Sequence, residues 1–164
     1  LSLVIGSDLA LITYFARRFE ESLAQFRSVL EVAPGFGYAH FGLSMCHSAL
    51  DQHSEAIAAG RESLALLASD AARAALGHSL ARAGESDEAR EVLDSIGRSH
   101  PGGASERALV LAALYAPDAA FEALENGLED RSRFGVFLGV WPAFDDLRGD
   151  PRFGALLARH GLRQ

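Results

Sequence analysis

Apolar residues recur along this chain at helical spacing. Phe19, Leu23, Phe26, Leu30 and Ala33 fall on one stripe, and Ala89, Val92, Leu93 and Ile96 repeat the i, i+3, i+4, i+7 pattern. That spacing belongs to a helix with one buried face. No stretch alternates with period two for long enough to make a strand. The pattern therefore predicts an all-α chain.

The helices themselves recur. Four helix-like stretches, at 19–35, 53–69, 86–102 and 117–133, open with acidic or capping residues and hold Ser22, Ala56, Ala89 and Ala120 at equivalent places. The first three lie 34 and 33 residues apart. The fourth follows 31 later, where the turn before it reads as shortened to Ala116-Pro117. Upstream, residues 43–56 and 76–89 align without a gap, so each unit is a helix, a tight turn and a second helix. Gly84 suits the left-handed position that ends a helix, with Asp51 at the same place one unit earlier. Ser86 or Asp87 is placed to cap the helix that follows. Pro34-Gly35 and Pro101-Gly102-Gly103 are read as the ends of second helices. The small residue at Ala56 or Ala89 lets two helices approach closely, and a larger one would overpack the joint by about 1–3 kcal/mol.

This pattern resembles the tetratricopeptide repeat (TPR), whose period is about 34 residues. Leu76-Gly77, Gly84, Ala89 and Pro101 carry the likeness in the best unit, Leu43-Ser44 and Ala56 in the second, and Phe19, Ser22, Phe26 and Pro34 in the first. The resemblance implies a right-handed α-α superhelix of about four helix pairs within a single-domain fragment, residues 1–164. Repeats are expected at about 3–36, 37–69, 70–103 and 104–130, with capping helices over 131–164. His47 and His53 replace the family's usual aromatics, and Gly60 stands where Phe or Tyr is preferred. Beside Gly60 either a neighbour fills the space, or the helices close up, or a small pocket remains.

The tail differs in composition. Phe134, Phe137, Trp141, Phe144 and Phe153 crowd into twenty residues. The last repeat of a solenoid exposes an apolar face, and aromatic helices are expected to cover it. Trp141, Phe144, Asp145, Leu147, Arg148, Asp150, Pro151, Arg152, Phe153, Leu156, Leu157, Gly161 and Leu162 resemble the closing stretch of many bacterial TPR regions. Such regions are joined to winged-helix transcriptional regulators, adenylate/guanylate cyclases and Ser/Thr kinases.

Charge and composition narrow the function classes. The 164 residues carry a formal charge of −7 with no basic run. That argues against holding nucleic acid or an anionic membrane surface. One cysteine, Cys46, excludes an internal disulfide and fits a reducing, cytoplasmic setting. No apolar run reaches the ~20 residues of a membrane span. The chain opens on Leu1 inside an apolar stretch, which reads as a piece of a longer protein.

Candidate chemistry is sparse. Asp145, Asp146 and Asp150 suit a divalent metal or an acid/base pair. Equally, Asp150 suits an N-cap before Pro151 at the first helical position, with Arg148 and Arg152 as ion-pair partners. His40 and His47 share a helix face, with Met45 and Cys46 between them, but the spacing is not that of a metal site. Cys46 reads as a buried thiol. No phosphate-binding glycine pattern and no G-x-S-x-G occurs. No catalytic residue, metal or cofactor is assigned.

The resemblance supplies the remaining candidates. Family groove positions carry over to Ser7, Leu11, Tyr14 and Phe15, then Phe41, Met45 and Ser48, then His78 and Arg82, and last Ala112 and Tyr115. That mixture suits an apolar peptide or helix more than an acidic tail. Leu11 and Phe41 are as readily inter-repeat core. Ser7 and Leu11 stand where chaperone-binding relatives place Lys and Asn, so chaperone-tail binding is disfavoured. The expected function is a non-catalytic protein–protein interaction or sensory module of a transcriptional regulator. The alternatives are the regulatory region of a nucleotide cyclase or Ser/Thr kinase, and a small-ligand sensor using space near Gly60. The partner is a protein or peptide, and a homodimer is compatible with the sequence.

Overall fold

The computed structural model describes residues 2–97, 103–129 and 137–162. Phe134, Pro101 and Gly102 lie outside the described residues. The described chain forms nine α-helices and no strand: α1 Leu3–Phe15, α2 Phe19–Val32, α3 Gly37–Ala49, α4 His53–Leu67, α5 Asp70–Arg82, α6 Ser86–Ser95, α7 Ala104–Ala113, α8 Pro117–Glu129 and α9 Pro151–Arg159. A short 3-10 helix, Pro142–Leu147, precedes α9. The helices pack in adjacent pairs, α1 on α2, α3 on α4, α5 on α6 and α7 on α8. The first helices also touch in order, α1 to α3, α3 to α5 and α5 to α7.

One turn joins the helices of every pair. Arg17, Asp51, Gly84 and Tyr115 all have positive φ, at +62°, +55°, +86° and +55°. The next residue's amide then reaches five residues back: Arg18 to Thr13, Gln52 to His47, Glu85 to Leu80 and Ala116 to Leu111, at 2.9–3.1 Å. The amide of the left-handed residue itself bonds Tyr14, Ser48, Ala81 or Ala112. This double closure is the Schellman arrangement, which satisfies carbonyls that a helix end leaves open. Five residues after each left-handed position comes the small residue, Ser22, Ala56, Ala89 or Ala120, all with 0% exposure. The predicted close-packed joint is present in all four pairs.

Three local expectations are corrected. The fourth turn is not shortened: Leu114, Tyr115 and Ala116 form a turn of the same length and geometry as the other three. The contraction to 31 residues accompanies the two short helices before it, α6 and α7, of 10 residues each. Ser86 and Asp87 do not cap α6. The capping position is Glu85, without a side-chain bond, and the left-handed turn closes the joint instead. Nor does α6 run to Pro101. It ends at Ser95, where Gly97 adopts φ +82° and donates its amide to Asp70 Oδ2 at 3.1 Å.

Gly60 settles which of three outcomes the second pair takes. A Cβ built there would lie 3.0 Å from Leu76 Cα and 3.1 Å from Ser44 Oγ. The helices have closed up, and no pocket remains at that joint. Serines line these close approaches: Ser22 donates to Ala10 O at 2.6 Å, Ser44 to Ala56 O at 2.9 Å and Ser63 to Gly37 O at 3.1 Å. These three buried hydroxyls are tolerated because each bonds a carbonyl.

Candidate interaction surface along the first helices

The tail does two jobs, where one was expected. Helix α9 packs on α8: Phe153, Leu156 and Leu157 are buried, and Arg152 sits 4.3 Å over the Phe121 ring. Arg152 pairs with Asp118, and Arg159 with Glu125. Asp150 accepts the Arg152 amide at 2.9 Å as N-cap, and Pro151 begins the helix. Residues 137–147 instead turn back across the row of first helices. Phe137 stacks on Phe15 at 4.9 Å, and Trp141 meets Phe15 edge-on at 5.7 Å. Trp141 and Phe144 close a small apolar cavity against Phe41, Ala74 and Leu109. This segment therefore meets α1, α5 and α7, and shares cavity walls with α3.

Charges pin the segment down. Arg17, exposed by its left-handed turn, forks onto Asp145 with distances of 2.5 and 2.7 Å. Arg82 at the end of α5 reaches Asp146 at 3.4 Å and Asp51 at 3.1 Å. Arg148 ties the segment to itself, donating to Asp145 Oδ1 and Gly139 O at 2.7 Å and to Trp141 O at 3.2 Å. Its guanidinium lies 5.3 Å over Phe153. Partial burial raises the Asp145 pKa, but the Arg17 and Arg148 guanidiniums outweigh it and hold the carboxyl below its ordinary range. The aspartates of this stretch thus serve as a clasp and a helix cap. Among the described residues, no group of three or more His, Cys, Asp or Glu side chains is placed to hold a metal ion.

A polar cleft of about 230 Å³ stays open beside the clasp. Its walls are the C-terminal ends of first helices (Tyr14, Ser48, His78, Arg82 and Ala113) and Pro142, Ala143, Asp145 and Asp146 of the tail. His78 is buried, with Nδ1 3.2 Å from Ser48 Oγ. Burial, and then the Arg82 charge, lower its pKa to about 3, so its imidazole is neutral. Burial also pushes the Tyr14 phenol well above its usual range.

No protein-family model matches the chain, and no curated protein is significantly similar to it.

Of the residues expected along a groove, Tyr14, Ser48, His78 and Arg82 come together in this cleft. Phe15 and Phe41 are engaged by the tail. Ser7, Met45 and Ala112 are buried at 0%, 1% and 3% exposure, and Leu11 is half-buried against the core. The Ser7 hydroxyl has no partner among the described residues. Tyr115 stands apart, 73% exposed on its left-handed turn. The other candidates are occupied internally. Cys46 is buried, with Sγ 3.3 Å from Ser22 Oγ and a thiol pKa raised by burial to about 11. His47 Nδ1 pairs with Gln52 Oε1 at 2.5 Å, and His40 Nε2 with Pro34 O at 2.9 Å.

Sequence reasoning missed that the tail crosses the first helices and missed Arg17 altogether. The bonds that reveal them join residues 128 positions apart for Arg17 with Asp145, and 64 apart for Arg82 with Asp146. The available signal was a pair of aspartates next to Phe144, with a single cation, Arg148, within one helical turn of them.

Proposed function

We propose that this chain is a non-catalytic protein–protein interaction or sensory module of the tetratricopeptide type, part of a larger bacterial regulatory protein such as a transcriptional regulator. The observation that carries the reading is the turn repeated at 17, 51, 84 and 115, each followed five residues later by a fully buried small residue. Repeated helix pairs of this size stack into extended arrays, and such arrays present the row of first helices to partners. Here residues 137–147 occupy much of that row. A partner peptide would meet the polar cleft at the C-terminal ends of the helices, with Arg82 and Asp146 as its charged contacts.

The regulatory region of a signalling enzyme, a nucleotide cyclase or Ser/Thr kinase, is the second reading. It rests on the same closing stretch, from Trp141 to Leu162, and differs only in the output domain. A small-ligand sensor is favoured by one observation, the cleft walled by the buried Ser48 and His78. Its space lies there and not beside Gly60.

Peptide-display selection against the purified chain, paired with thermal-shift screening of metabolites, separates these readings. The interaction module predicts enriched peptides whose affinity falls at least about tenfold on Arg82→Gln, as losing a charged hydrogen bond does. A flat selection together with a stabilising metabolite would replace it with the ligand sensor. The coding sequence adjoining this region then distinguishes a winged helix from a cyclase or kinase.

A further inference from the structure

Helix α1 carries an apolar stripe that its own fold leaves bare. Ile5, Leu9 and Ile12, at i, i+4 and i+7, are 62%, 52% and 62% exposed. The repeat gives each of them counterparts. Shifted by 34 residues they are Ala39, Leu43 and Cys46 of α3, with 0%, 9% and 0% exposure. Shifted by 67 they are Ala72, Leu76 and Ser79 of α5, with 0%, 4% and 0%. The same three positions are thus buried in the second and third units and exposed in the first; in the fourth, Gly103 and Arg107 are half-buried and Val110 is buried. What buries them is the second helix of the preceding pair: α2 packs on α3, and α4 on α5. Gly60 of α4, pressed against Leu76 Cα, marks how closely that helix approaches.

We infer that the α1 face at Ile5, Leu9 and Ile12 receives an amphipathic α-helix, seated as α2 sits on α3 and α4 on α5. The occupant's chemistry follows from the stripe. Three large aliphatic side chains require an apolar seam on the incoming helix, with small residues where the backbones converge. Asp8 lies in the middle of the face, where α3 has Gly42 and α5 has Ala75. A carboxylate cannot be covered without a partner. The incoming helix therefore carries Arg or Lys at the place where α2 sets Phe26 against Gly42. This inference rests on the internal repeat and holds whichever output the module serves.

The register permits a direct test. Residue 3 begins α1 as residue 70 begins α5, so a second copy of residues 37–69 can be joined ahead of residue 3. The fusion is made with Asp8 kept and with Asp8→Ala, the residue α5 uses. We expect the Asp8→Ala fusion to melt several degrees above the Asp8→Ala chain without the extra pair. We also expect amide exchange at Ile5, Leu9 and Ile12 to slow by about tenfold or more. The fusion retaining Asp8 should gain less. Unchanged melting and exchange in both fusions would overturn the docking site, and equal gains would overturn the basic contact to Asp8. Light scattering on the unfused chain supplies the other arm. A monomer at high micromolar concentration fits the inference. A dimer abolished by Ile12→Asp would show that a second copy covers the face and would overturn it.

Discussion

The two ends of this helical row meet the same physical problem differently. At the C-terminal end α9 lies on α8, and Phe153, Leu156 and Leu157 are at most 2% exposed. At the N-terminal end α1 leaves Ile5, Leu9 and Ile12 more than half exposed. Both helices carry apolar stripes at helical spacing, so periodicity does not distinguish them. What differs is the neighbour. Burial is a property of a pair of surfaces, and each apolar side chain gains stabilisation only when a second surface displaces its water.

The largest expected effect contrasts the two ends directly. Trp141→Ala should cost about 3–5 kcal/mol, the range for emptying a buried aromatic site, because its ring is 4% exposed and packs on Phe15 and Phe144. Ile12→Ala should shift stability by no more than about 0.5 kcal/mol, as exposed substitutions do. Urea denaturation of both variants measures the contrast, and equal losses would erase it.

Next in size is the pH response of the covered region. His78 has its folded pKa lowered to about 3, against an ordinary value of 6.5. Between those values the unfolded chain binds a proton that the folded chain does not, so stability falls as pH falls. The loss begins near the unfolded pKa and approaches about 1.4 kcal/mol per pH unit well below it. Denaturation at pH 7 and pH 5 should show this slope in the chain and a shallower one in His78→Gln. Parallel slopes would mean that His78 is hydrated in solution. The smallest effect concerns the clasp. Asp145→Asn weakens the contacts to Arg17 and Arg148 at a site that is 38% exposed. Screening by solvent limits the cost to about 1 kcal/mol or less. A loss as large as that of Trp141→Ala would shift the holding of residues 137–147 from aromatics to charge.

Legibility followed the range of the interaction. Gly84 and Asp51 announced the left-handed turn, because glycine reaches that conformation readily and aspartate tolerates it. Arg17 and Tyr115 adopt it too, although their residue types carry no such signal. They are held there by two backbone bonds and by the packing of the joined helices. Asp150-Pro151 and the buried face of α9 were readable for the same local reason. Gly60 was visible as a departure, but whether the space would fill or collapse depended on how near α5 could come. Among the groove candidates, Tyr14, Ser48, His78 and Arg82 did gather, because four similar turns bring the ends of the first helices together. Met45 and Ala112 did not stay open, since both belong to the hydrophobic core.

By itself the sequence determined the all-helical class, the pairing of helices, the small residue at each joint and the cap that starts α9. Each depends on a handful of neighbouring residues whose propensities act over one or two turns. Only the tertiary structure decided that residues 137–147 lie along α1, α3, α5 and α7, that Arg17 and Arg82 clasp Asp145 and Asp146, and that one face of α1 remains bare. Apolar attraction is non-directional, so an aromatic-rich segment carries no statement of which surface it will cover. That choice is made by whichever face offers matching shape and opposite charge once the helices are in place.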